Sequence, residues 1–109
     1  MATLRVRHQL SGKTLRWVVC ILLRDAQCAM TVAEIVAAVE ALDYLIPGAR
    51  AGKAVSDALR WEVRRGRVRQ IQRGLYAAGL LPRSTAYGLR KRVENMELSL
   101  VATSAARSG

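Results

Sequence analysis

The sequence predicts a mainly α fold with one small β-hairpin, and three observations carry the expectation. Apolar residues recur at helical spacing in four separate stretches. A capping sequence, a Pro-Gly pair and a closing glycine divide those stretches. Between residues 68 and 78 the helical period disappears around Gly74. With 109 residues, 51% of them hydrophobic, the chain is the size of one domain and has enough apolar side chains for a core.

Residues 1–12 read as a flexible tail. The segment "GKTLRWVVCILLRDA" follows, with Leu15, Val18, Val19, Leu22, Leu23 and Ala26 spaced for a helix buried on a broad face. In "MTVAEIVAAVEALDYLI", Thr31 and Glu34 have capping-box spacing, and Val32, Ile35, Val36, Val39 and Leu42 form one stripe, so a second helix is expected to run until Pro47-Gly48 stops it. "KAVSDALRWEVRRG" reads as a third helix closed by Gly66. At about 100° per residue it places Lys53, Ser56, Asp57, Arg60 and Arg64 on one side and Val55, Ala58, Leu59 and Val63 on the other.

Glu62 falls in the middle of that apolar side. Either the helix loses regularity there, or Glu62 is partly buried and paired with an arginine, because an unpaired buried carboxylate is too costly to keep charged. "RVRQIQRGLYAA" then reads as a short hairpin, with Gly74 free to take a positive φ. Residues 81–100 form a last helix in which Leu89, Val93, Met96 and Leu100 make a heptad-like seam, and residues 101–109 read as a disordered tail. That seam offers a homodimer interface or packs back on the first helix, and both readings stand.

The net charge of +10 points to a polyanionic partner, and its distribution is uneven. Residues 50–92 hold 12 Lys or Arg against two Asp or Glu, a net +10, while the flanks cancel one another. One segment therefore makes the chain basic, and the third helix and the hairpin lie within it. Cys20 and Cys28, with seven residues between them, and His8 as the only histidine have no zinc spacing, so two buried free thiols in a reducing cytoplasm are expected. No metal and no small-molecule cofactor is indicated. The start imitates a signal peptide, but its apolar run "WVVCILL" is seven residues long and Arg24-Asp25 breaks it, which favours a buried helix and no membrane partner.

Helix, capped helix, turn, basic-faced helix and arginine-rich hairpin, in that order, resemble the winged helix-turn-helix fold of bacterial or phage DNA-binding regulators. The resemblance extends over roughly residues 13–80. It is most local in "SDALRWEVRRGRVRQIQRGLYAAG", which is similar to the recognition-helix-plus-wing segment of abortive-infection-type antitoxin winged-helix domains. Val63, Arg64, Arg65, Gly66, Val68, Arg73, Gly74, Leu75 and Tyr76 carry it, and Glu62 departs from it, standing where many relatives have an apolar residue. The resemblance implies a three-helix core plus wing, followed here by an extra C-terminal helix, and a double-stranded DNA partner.

A helix about 10–12 Å across fits a major groove roughly 12 Å wide, so Lys53, Ser56, Asp57, Arg60 and Arg64 are the candidate groove residues. Asp57 accepts from cytosine or orients Arg60 or Lys53; neither reading is preferred. Arg67, Arg69 and Arg73 on the wing face the backbone or a minor groove. Six to ten phosphate contacts imply that affinity falls by about three to five orders of magnitude between 50 and 200 mM salt. Trp61, Trp17 and Tyr76 are expected in the core or at its rim.

Rival classes fare worse. An enzyme lacks a catalytic constellation, since the one histidine lies near the chain start and no phosphate loop appears. A winged-helix protein adaptor has no need of so basic a third helix. Single-stranded RNA recognition wants exposed aromatics, which are scarce in a chain with no Phe. A non-specific architectural, nucleoid-associated DNA binder remains the nearest alternative to a small transcriptional regulator.

Overall fold

A computed structural model describes the backbone of residues 8–107 and the side chains of residues 9–95. Among them the chain runs β1 (His8–Gln9), α1 (Gly12–Ala26), β2 (Met30–Thr31), α2 (Val32–Ala41), β3 (Tyr44–Leu45), α3 (Ala51–Arg64), β4 (Val68–Gln72), β5 (Leu75–Ala78) and α4 (Arg83–Arg107). Four helices thus accompany a three-stranded antiparallel sheet in the order β2-β5-β4, and a separate parallel pair of β1 with β3.

Ser11 starts α1, its hydroxyl accepting from the Thr14 backbone N–H at 3.1 Å. Leu15, Val18, Val19, Cys20 and Leu23 on α1 are buried, and the helix packs against α2, α3, α4 and β5, so it is the centre of the core. The chain before it is no tail from residue 8 onward. Leu10 is 1% exposed, and its N–H donates to the Leu45 carbonyl at 2.9 Å, extending the β1 and β3 pairing. Two-residue strands leave no period in a sequence, which is why a tail was the expectation through residue 12.

The capping box of α2 is formed: Glu34 N–H donates to Thr31 Oγ1 at 3.2 Å and Thr31 N–H to Glu34 Oε1 at 2.9 Å. These bonds hold the Glu34 carboxyl below its ordinary range. The helix ends at Ala41, earlier than Pro47-Gly48 suggests, because Asp43 takes φ 63° and turns the chain into β3. Asp is among the few residues that adopt this region readily. The reversal buries Tyr44 and leaves Leu42, the last residue of the expected stripe, 51% exposed.

α3 stays regular to Arg64 and closes on Gly66 at φ +77° in a Schellman arrangement, with Gly66 N–H donating to Val63 O at 3.0 Å and Arg67 N–H to Glu62 O at 3.1 Å. The hairpin turns at Arg73-Gly74, and Gly74 also has φ +77°. A register irregularity leaves Ile71 unpaired between Gln70 and Gln72, and it is 49% exposed.

Where the hairpin returns to the base of α3, the backbone is pressed together. Gly79 N–H donates to Arg67 O and Leu80 N–H to Gly66 O, both at 2.8 Å. A Cβ on Gly79 would sit inside contact distance of the Gly66 carbonyl oxygen, 2.9 Å from Arg67 C and 3.0 Å from Val68 N.

α4 lies on α1, with Ala86 and Leu89 buried, Val93 packed against the core, and Arg90 paired with Asp25. Leu89 and, in part, Val93 therefore pack on their own chain, as the second of the two readings of this seam expects. Met96 and Leu100 of the same seam lie outside the described side chains. The helix also continues to Arg107, past the expected end at residue 100, because the alanine-rich "VATSAAR" contains no breaker. The disordered tail expected from residue 101 is thus helical as far as residue 107.

Candidate nucleic-acid interface

The faces of α3 divide as its period requires. Val55, Ala58, Leu59 and Glu62 are buried and Val63 is half-buried, whereas Lys53, Asp57, Arg60 and Arg64 are exposed and Ser56 is half-buried at the edge. Among the described residues no carboxylate lies within ion-pair distance of Lys53, Arg60 or Arg64. Asp57 stands among these cations without an ion pair to either Lys53 or Arg60. The result is an unneutralised basic face on a rigid helix that is anchored by three buried aliphatic residues.

On the hairpin, Arg69 and Arg73 are exposed. Arg69 Nε donates to the Ala78 carbonyl at 3.2 Å across the strands, which fixes the start of its guanidinium and leaves the outer nitrogens to solvent. Arg67 is different. Its guanidinium turns inward, 26% exposed, with Nη1 3.6 Å from Glu62 Oε2. The structure thus groups seven of the eight predicted groove and wing residues on exposed or edge positions and removes Arg67 to a structural pair.

Glu62 is regular in helix and buried, at 1% exposure, and of the two readings of this position burial with a paired arginine is the observed one. At 3.6 Å the arginine contact exceeds a hydrogen bond, so Oε2 has no hydrogen-bond partner. The carboxylate also lies beside the Cys20 thiol on α1. Burial and the Glu62 charge beside it push that thiol far above its ordinary range. Cys20 is accordingly an inert core residue.

Cys28 is exposed, not buried, because it lies past the left-handed cap at Gln27 (φ 54°) and so off the buried stripe of α1. Both thiols are free. Alkylation of the native protein with a maleimide is expected to modify Cys28 rapidly and Cys20 only on unfolding. Mass spectrometry of the native and denatured protein checks this, and two fast adducts in the native state would contradict the core geometry.

Sequence reasoning missed the cations that meet the two indoles. Trp61 is 40% exposed, with the Arg16 guanidinium 4.6 Å and the Arg65 guanidinium 5.4 Å from its ring centre. Trp17 is half-buried and Tyr76 5% exposed. The i, i+3 and i, i+4 spacing of Lys13, Arg16 and Trp17 was the available signal on α1.

Among the described residues no three His, Cys, Asp or Glu side chains gather closely enough to hold a metal ion, and no helix is long and apolar enough to cross a membrane. Comparison of the chain with protein-family models, curated proteins and solved structures found no match.

Proposed function

We propose that this chain is a sequence-preferring double-stranded DNA-binding protein of winged helix-turn-helix type, a small cytoplasmic transcriptional regulator with no catalytic activity. In this reading α3 enters the major groove and the β4 and β5 hairpin lies on the backbone or in the adjoining minor groove. One observation carries it: the outer face of α3 exposes Lys53, Asp57, Arg60 and Arg64, with no carboxylate paired to any of the three cations among the described residues. The order of three helices followed by a hairpin, with β2 completing the small sheet, supports a three-helix core plus wing.

Arg60 sits at the centre of that face. Its planar fork matches the O6 and N7 acceptors of guanine, a pairing that discriminates against other bases by about 1–3 kcal/mol. Selection from a randomised duplex pool at physiological salt tests the assignment, with Arg60→Ala in parallel. The wild type is expected to enrich a motif, and the variant to relax it at one base pair with a loss of about tenfold or more in affinity. Binding without enrichment would point instead to a shape- or charge-driven architectural protein. No binding would assign the basic face to a protein or RNA partner.

A further inference from the structure

Lys13, Arg16, Trp17, Trp61, Arg65 and Arg92 come from three helices that adjoin in the fold, and they form two matching clusters. Arg16 and Arg65 sit 4.6 and 5.4 Å from the centre of the Trp61 ring. Lys13 and Arg92 sit 5.4 and 5.5 Å from the centre of the Trp17 ring. Since Lys13, Arg16 and Trp17 share one turn and a half of α1, the two clusters join into a belt from the end of α3 across α1 to α4.

We propose that this belt is a second nucleic-acid contact surface, one that holds the phosphodiester backbone of DNA flanking the segment read by α3. The proposal rests on the groove-binding reading of α3 and extends it. Each indole holds its cations in place, yet a ring quadrupole neutralises no charge. Among the described residues none of the four cations pairs with a carboxylate. A groove of about 280 Å³ runs beside the Trp61 cluster between α1 and α3, and Asp57 is the one acidic residue lining it.

Guanidinium groups lying on a ring present their edges outward, and those edges carry the paired N–H donors that fit a phosphate. With two cations already on each ring, the indoles are supports rather than open platforms for unstacked bases, which favours backbone over single-strand recognition. The same duplex is the fitting source of phosphate, because the belt begins where the α3 face ends. Arg65 follows Arg64, and Trp61 follows Arg60.

The test compares duplexes carrying the selected motif, one of about 11 bp, a single helical turn, and one of about three turns. Two double variants of the full chain remove the charges and keep the indoles: Arg16→Gln with Arg65→Gln, and Lys13→Gln with Arg92→Gln. Thermal melting by circular dichroism accompanies both, and a pair that melts early leaves the other to carry the comparison. On the long duplex each double variant is expected to show a log K against log salt slope shallower by about 1.8, at about 0.9 per phosphate. On the short duplex the slope is expected to match the wild type.

Unchanged slopes at both lengths, with wild-type binding intact, overturn the belt and leave the α3 reading standing. A slope lowered equally on both lengths overturns the flanking assignment. Two differently labelled long duplexes reveal the remaining alternative: wild-type bridging that the variants abolish, at unaltered single-duplex affinity, overturns it in favour of a second DNA molecule. A wild-type chain that binds neither duplex overturns the groove reading and this proposal with it.

Discussion

Gly79→Ala is expected to destabilise the protein by about 3 kcal/mol and to lower its melting temperature by roughly 10–15 °C. The added methyl group meets backbone on every close side: the Gly66 carbonyl oxygen, Arg67 C and Val68 N. None of these is the far end of a flexible side chain, so the junction between α3 and the hairpin must open. Opening it sacrifices the paired 2.8 Å hydrogen bonds from Gly79 and Leu80. Gly88→Ala is the control. It lies within α4 with nothing close to its Cβ position, and alanine there is expected to stabilise by about 0.5–1 kcal/mol. Thermal and urea unfolding of the two variants against wild type checks both signs, and equal stability of Gly79→Ala would refute the tight junction.

On a duplex of about one helical turn, DNA affinity is expected to fall about 150-fold when salt rises from 50 to 200 mM. Four cations remain for phosphate on the α3 face and the hairpin, namely Lys53, Arg64, Arg69 and Arg73, once Arg60 is assigned to a base and Arg67 to Glu62. At about 0.9 per phosphate they give a slope near −3.6. That lies below the three to five orders of magnitude that the sequence implies, where Arg67 counted as a wing residue. Fluorescence anisotropy across a salt series measures the slope. A value near zero would remove phosphate contact from the mechanism, and one well beyond −3.6 on this short duplex would require cations outside this face.

The elements legible in the sequence are those whose side chains alternate with a period. The buried stripe of α1, the Thr31 and Glu34 capping box, the two faces of α3 and the loss of helical period at the hairpin all leave such a trace. The illegible parts depend on contacts between distant segments. β1, β2 and β3 are two residues each and exist only because β1 pairs with β3 and β2 with β5.

The same holds within the candidate site. Position along α3 predicts that Arg60 and Arg64 are exposed, but not that Arg67 turns back toward Glu62. Helical arithmetic recognised Glu62 as anomalous and left its resolution open, since the partner lies beyond the end of the helix. The approach of Arg16 to Trp61 depends on how α1 crosses α3, which no local pattern encodes. The Leu89 seam illustrates the limit most plainly, because a heptad spacing serves an intramolecular contact and a dimer equally well.

Glu62 and Arg67 have a consequence for how this chain can vary. A buried carboxylate deprived of its cation is costly, whereas replacing both charges with apolar groups of similar volume is often neutral or stabilising. Arg67 also stands at the step from helix to hairpin, its N–H bonded to the Glu62 carbonyl as well as its side chain facing the Glu62 carboxylate. The two positions are therefore coupled twice, through backbone and through charge, and only the charge is open to substitution. Among descendants of this sequence, residues 62 and 67 are expected to change together, with an apolar pair as the destination reached at least cost. Because the buried Cys20 thiol lies beside the same carboxylate, position 20 is the third member of that inherited set.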